Sequence, residues 1–308
     1  MLLGAPCDAG QRYPGCLMGP AAYRVAGLAG ALADLGHSVE DMGDVTPQQG
    51  AGTPIGAAYP SNPRLHALPE VLGWTTALAA ASETAMTRGM GIFLGGDHAI
   101  SLGTLAGVAA HAARIGRPLF LLWLDAHADL HDPVSTRSGN LHGTPVARAL
   151  GLPGFEPFPA FPAPVPADHV CLFGLRSVDP AEHARLLDLG IEVVDMRRID
   201  EEGVTRPLRA FLDRVRAAGG MLHVSLDVDF LDPQIAPAVG TTVPGGATFR
   251  EAHLVMEMLH DSDIVAALDL VELNPFLDER GRTARLMVDL TASLMGRKVF
   301  DRRTPPLP

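Results

Sequence analysis

The stretch 118-PLFLLWL-124 constrains the fold more than any other part of the chain. Its apolar run shows no polar alternation, so neither face of such a strand meets water. A strand buried on both faces belongs to a sheet covered on both sides. Sheets of that kind are parallel, with helices as their crossovers.

The remaining pattern repeats this theme. Short apolar runs predict strands over 1–6, 39–42, 90–94, 118–124, 170–174, 191–194, 221–226 and 264–273. Helix-like periodicity covers 19–36, 68–87, 99–115, 181–189, 204–218, 249–259 and 282–295. Pro20 and Gly36 mark the ends of the first helix. Gly/Pro-rich residues 44–66 and Pro-rich residues 151–168 read as excursions. No fixed-period repeat and no dividing linker interrupts the series. The expectation is an α/β chain: one three-layer αβα domain over residues 1–308 with a mostly parallel central sheet.

Composition narrows the partners. A net charge of −11 with no Lys/Arg cluster disfavours nucleic acid and anionic membrane surfaces. No run of apolar residues is long enough for a membrane helix. The opening 1-MLLGAPCDAG-10 reads as a first strand rather than a signal peptide. Cys7, Cys16 and Cys171 have no metal-binding spacing and suit a reducing, cytoplasmic setting. The closing 304-TPPLP-308 leaves little room for an extended C-terminal arm.

In parallel sheets, ligands bind beyond the carboxyl ends of the strands. Four predicted strand ends here carry reactive side chains: 95-GGDH-98, 125-DAHAD-129, 227-DVDFLDP-233 and 272-ELNP-275. Residues two apart on an extended chain face one way, which groups Asp125, His127 and Asp129, and likewise Asp227 and Asp229. With His98 they supply two imidazoles and four carboxylates. Carboxylates gathered without partners repel and raise one another's pKa, so the cluster calls for cations. Oxygen-rich ligation with some imidazole and no thiolate favours Mn²⁺, with Fe, Co, Ni or Zn as other occupants. Six ligands, two of them able to bridge, suit a pair of ions roughly 3.5–4 Å apart. Any one of these motifs alone could be turn or capping chemistry. Three such coincidences at three ends of one sheet make a poor explanation.

Taken together, GGDH, DAHAD and SLDVDFLDP resemble the ureohydrolases, the family of arginase, agmatinase and related guanidino hydrolases. The resemblance runs from 3-LGAPCDAGQ-11 to 272-ELNP-275. Within the family, 138-SGNLHG-143, 174-GLRSVDPAEH-183 and 240-GTTVPGGATFRE-251 look most like arginase. The resemblance implies two Mn²⁺ per chain. His98, Asp125, Asp129 and Asp227 would hold one ion, and Asp125, His127, Asp227 and Asp229 the other. A hydroxide held between them would attack the guanidinium carbon of L-arginine, giving L-ornithine and urea. His142 would handle the proton, Glu272 would pair with the guanidinium, and Thr241 would assist. Ser138, Asn140 and Asp179 would read the amino-acid end. A homo-oligomer, trimer or hexamer, is also implied, with Arg250 and Glu251 resembling a pair that joins subunits.

Chemistry supports these residue types. A resonance-stabilised guanidinium resists attack by water, so a metal-activated nucleophile is needed. The leaving amine needs a proton, which a histidine can give near neutral pH. Asp97 reads as supporting the His98 turn, and Asp232 as structural.

Two positions depart from the arginase pattern. His131 stands where an Asn contacts the α-carboxylate, and Ser177 where an Asp is common. His131 is expected to face the substrate. The departures keep open another guanidino substrate, such as agmatine, guanidinobutyrate or hydroxyarginine. A one-metal amide hydrolase of the deacetylase type is a further alternative.

Overall fold

The computed structural model describes residues 1–47 and 62–298. Most of the expected 44–66 loop and the 304–308 tail lie outside them.

Among the described residues, eight strands form one sheet: β1 (Leu2–Ala5), β2 (Asp41–Asp44), β3 (Gly91–Gly95), β4 (Leu119–Leu124), β5 (Val170–Leu175), β6 (Glu192–Asp195), β7 (Met221–Asp227) and β8 (Val265–Val271). The order is β2-β1-β3-β8-β7-β4-β5-β6. Every pairing is parallel. The sheet is thus wholly rather than mostly parallel.

β4 shows why. All six residues are buried. Phe120, Leu122 and Leu124 enter the core on one face, and Leu119, Leu121 and Trp123 the core on the other. Each such side chain contributes about 1.5–3 kcal/mol of burial free energy. The first face is covered by α1 (Gly19–Val25), α2 (Leu28–Ala33), α7 (Met196–Glu202), α8 (Thr205–Ala217), α9 (Phe249–Ser262) and α10 (Arg282–Leu294). The second is covered by α3 (Leu68–Met86), α4 (Ser101–Arg114), α5 (Pro145–Ala149) and α6 (Pro180–Leu189). In α8, Pro207, Leu208, Phe211, Leu212 and Val215 are buried while Arg206, Arg209, Arg214 and Arg216 stay outside. That split is the 3.6-residue period of a surface helix.

Four expectations change. The helix expected over 19–36 is two helices, because Gly27 takes a left-handed φ of 88° between them. The strand expected at 39–42 lies at Asp41–Asp44. Two short helices, α5 and α7, were not foreseen; α7 follows β6 directly and is capped by Asp195, which accepts from Arg198 N at 2.8 Å. Finally, β4 stops at Leu124, so residues 125–129 are not an extended continuation.

Candidate active site

The four chemistry-bearing strand ends are those of β3, β4, β7 and β8. They are scattered in sequence, yet these are the four central, adjacent strands of the sheet. Parallel pairing puts their carboxyl ends on one edge. A cavity of ≈ 280 Å³ opens there, lined among others by His98, Asp125, His127, Asp129, Asp227 and Asp229.

Backbone turns, not strand alternation, bring these side chains together. After β3 the chain enters a 3-10 turn, His98–Ile100, capped by Asp97, which accepts from Ala99 N at 3.0 Å. Asp97 also accepts from Gly10 N at 2.6 Å, so it supports the turn as the sequence suggested. After β7, Val228–Phe230 form another 3-10 turn, with Asp227 accepting from Asp229 N at 2.7 Å. Asp129 and Glu272 adopt left-handed φ values of 48° and 63°. Each costs roughly 1–2 kcal/mol for a non-glycine residue, a strain typical of functional sites.

His98 Nδ1 lies 3.1 Å from Asp125 Oδ2, 3.2 Å from Asp129 Oδ2 and 3.0 Å from Asp227 Oδ2. His127 Nδ1 lies 3.0 Å from Asp229 Oδ2 and 3.4 Å from Asp125 Oδ1. Asp125 thus turns one oxygen toward each group, as a bridging carboxylate does. His98 Nδ1 and Asp125 Oδ2 are buried without a hydrogen-bond partner. Two ligand groups, His98–Asp125–Asp227 and Asp125–His127–Asp229, are each compact enough to hold an ion. The donor set fits a pair of divalent cations.

The family model for the arginase family matches residues 1–296. The chain belongs to the arginase family. The arginase of Agrobacterium fabrum is 58% identical over 304 residues, covering 98% of this chain and 92% of that one. The crystal structure of arginase from Bacillus cereus superposes with a TM-score of 0.86 at 37% identity, covering 97% and 98% of the two chains. That of Entamoeba histolytica arginase in complex with L-ornithine gives 0.83 at 25% identity, covering 96% and 98%. Membership makes the protein a hydrolase acting on guanidino carbon–nitrogen bonds.

Electrostatics agree with a site built for cations. Burial, then the charge of Asp125, pushes Asp129 up to about 6. Burial and the charges of Asp229 and Asp125 drive Asp227 well above the carboxylate range. Burial opposes charge on His98, but Asp125, Asp129 and Asp227 override it and raise the imidazole. His127 goes up to about 12: burial works against it, and Asp125 and Asp229 prevail. Asp125 goes the other way: burial works against its charge, but His127 and His98 outweigh it and hold the carboxyl below its usual range, so without cations the two imidazoles supply the positive charge that this arginase-family site needs.

The other expected residues also reach the cavity, with one exception. His142, Thr241, Glu272, His131, Ser138 and Asp179 line it, as does Ser177. Glu272 is buried and engaged on both oxygens: Oε1 accepts from His98 N (2.8 Å) and faces His142 Nδ1 (2.9 Å), and Oε2 accepts from Gln11 Nε2 (2.8 Å). Burial opposes a charge on His142, but Glu272 raises it to about 9. Thr241 Oγ1 donates to Asp229 Oδ2 at 3.2 Å. Asn140 is not among the lining residues; its backbone N–H donates to Ser138 Oγ at 3.2 Å. His131 Nε2 faces Asp179 Oδ2 at 3.1 Å and Glu182 Oε2 at 3.7 Å.

Glu182 lines the cavity too and was missed. It accepts from Leu130 N at 3.0 Å and from Asp179 N at 3.1 Å. The signal was present: Asp179 followed three residues later by Glu is a capping-box pattern. Gln11 carried no such signal, because its link to Glu272 spans nearly the whole sequence.

Proposed function

We propose that this arginase-family hydrolase releases urea from L-arginine, leaving L-ornithine, with two manganese ions per chain. The observation that carries the reading is Asp125, whose two oxygens address two ligand groups in the same cavity as the His142–Glu272 pair. When bound, such cations supply Lewis acidity and make water nucleophilic near neutral pH. His98, Asp125, Asp129 and Asp227 would hold one ion; Asp125, His127, Asp227 and Asp229 would hold the other. Manganese suits a site of four carboxylates and two imidazoles without thiolate.

The remaining residues bind and move protons. His142, held by Glu272 and protonated near neutral pH, donates to the leaving amine. Glu272 accepts from Gln11 and His98 N and faces His142, and its carboxylate keeps acceptor capacity to pair with the guanidinium as well as to hold His142. Thr241 keeps Asp229 oriented. At the amino-acid end, Asp179 meets the α-ammonium and the Ser138 hydroxyl meets the α-carboxylate. Asn140 acts from behind, orienting Ser138 through its backbone N–H. A Mn²⁺-reconstituted enzyme that releases no urea from L-arginine anywhere between about pH 7 and 10 would falsify the reading.

One observation favours a second reading. His131 Nε2 lies on Asp179, the residue that would otherwise meet the α-ammonium. That contact favours a guanidino substrate lacking the ammonium. Equal or faster turnover of agmatine or guanidinobutyrate would decide for it. The three free, buried cysteines fit a reducing cytoplasm. Association into a trimer or hexamer is part of the same proposal, to be checked by light scattering.

A further inference from the structure

β8 carries a carboxylate where a buried parallel strand should carry none. Asp269 is fully buried. Its register partners are Phe93 on β3 and Ser225 on β7. It faces α4, on the opposite side of the strand from Leu268 and Leu270, which enter the other core. A buried carboxylate is costly unless it is fully hydrogen-bonded. Asp269 concentrates its contacts on one oxygen: Oδ2 accepts from Ser101 Oγ at 2.5 Å and from Thr104 Oγ1 at 2.9 Å and lies 3.2 Å from His223 Nε2, while Oδ1 is buried without a partner. Burial works against its charge, but His223 and the two hydroxyls outweigh that and keep its pKa below the usual value.

The partners reveal what this arrangement holds. Ser101 and Thr104 lie one turn apart at the start of α4. α4 begins directly after the 3-10 turn His98–Ile100, with no intervening residue. The clamp therefore acts on the backbone that presents His98. The His98 ring is held separately: Nε2 meets Ser225 Oγ at 2.8 Å, and the ring stacks on Trp123 at 4.1 Å between centroids. Ser225 and Trp123 belong to the same row across the sheet as Asp269. That row lies one pleat repeat, about 7 Å, beneath Asp227. The backbone beside His127 is held by other buried acids and not by Asp269: Ala126 N donates to Asp229 Oδ1 and Leu130 N to Glu182 Oε1, each at 3.0 Å.

We propose that Asp269 is a positioning residue for the metal centre. By clamping the first turn of α4 to β8, it fixes the backbone of His98 and selectively strengthens binding of the ion on the His98 side. The inference rests on the two-cation reading, so its test measures ion binding rather than urea.

The variant is Asp269→Asn, which keeps the size but removes the charge. Mn²⁺ affinity is measured by competition with a chelating dye, on protein shown by circular dichroism to be folded. The expected result is one ion weakened about 10- to 100-fold and the other unchanged. The spin resonance of the manganese pair should give way to the single-ion signal that His98→Asn also produces, and not to that of His127→Asn. If Asp269→Asn does not fold, Thr104→Val removes one arm of the clamp and should weaken the same ion. Wild-type affinity at both sites in a folded variant, or equal weakening of both, overturns the proposal. A purely structural role would lower the melting temperature and leave both affinities intact. Wild-type protein that binds no ion pair would instead overturn the metal reading, and this role with it.

Discussion

At the scale of the residue, the site is decided by where protons sit. Metal ligands must be deprotonated to bind. In the metal-free protein His98 and His127 hold protons at pH 7, since neighbouring carboxylates raise both against the effect of burial. Asp227 is also pushed well up. Manganese uptake at pH 7 should therefore release about two protons or more per chain. A pH indicator in weak buffer measures this, and uptake with no acidification would contradict the ligand assignment. His142 gives a prediction of opposite appearance. Its folded pKa of about 9 exceeds the free value of about 6.5. The stability it contributes is complete below the free value and is lost as pH rises through the folded one. Chelated protein should lose stability between about pH 7 and 10, and His142→Asn should flatten that slope in a series of denaturant melts.

At the scale of the element, helix caps and tight turns place the chemistry. Thr248 Oγ1 accepts from Glu251 N at 3.3 Å, and Glu251 Oε2 accepts from Thr248 N at 2.8 Å, a capping box that opens α9. Thr248→Ala should cost about 1 kcal/mol of stability and leave the rate of urea release unchanged. The 95-GG-96 pair is more demanding. A Cβ on Gly96 would sit 1.9 Å from the Cys7 carbonyl oxygen, so Gly96→Ala must push apart the loops after β1 and β3. The expected loss is on the order of 3 kcal/mol, with a larger fall in turnover than Thr248→Ala shows.

The sheet was legible because buried strands such as β4 announce themselves by composition alone. The short helix α7 was not, because 196-MRRIDEE-202 is charged and follows β6 without a loop. The strand-end cluster of candidate metal ligands was legible for a reason that does not hold. Alternation along an extended chain picked Asp125, His127 and Asp129, but these residues lie past the end of β4, and a left-handed Asp129 turns the chain. Residue type and strand-end position carried the inference, not periodicity. Gln11, Ser225 and Asp269 stayed invisible because their roles depend on partners far away in sequence.

At the scale of the whole molecule, the cavity joins the middle of the sheet. Its proposed metal ligands come from the ends of β3, β4 and β7, while Glu272 follows β8, and these four strands are adjacent at the centre. Ions bound there favour only the folded chain, so they stabilise all of it by mass action. Each site filled at a hundred times its dissociation constant adds about 2.7 kcal/mol, hence about 5 kcal/mol for two. Spread over the unfolding entropy of a 308-residue chain, that is a rise of about 8 °C in melting temperature. Calorimetry should show one transition that moves as a unit on adding manganese. Asp125→Asn should abolish most of the shift, because on the proposed ligand assignment this carboxylate would serve both ions. His98→Asn should abolish about half. Two separate transitions, with only one responding to metal, would mean that the halves of the sheet fold independently and that the centre does not hold them together.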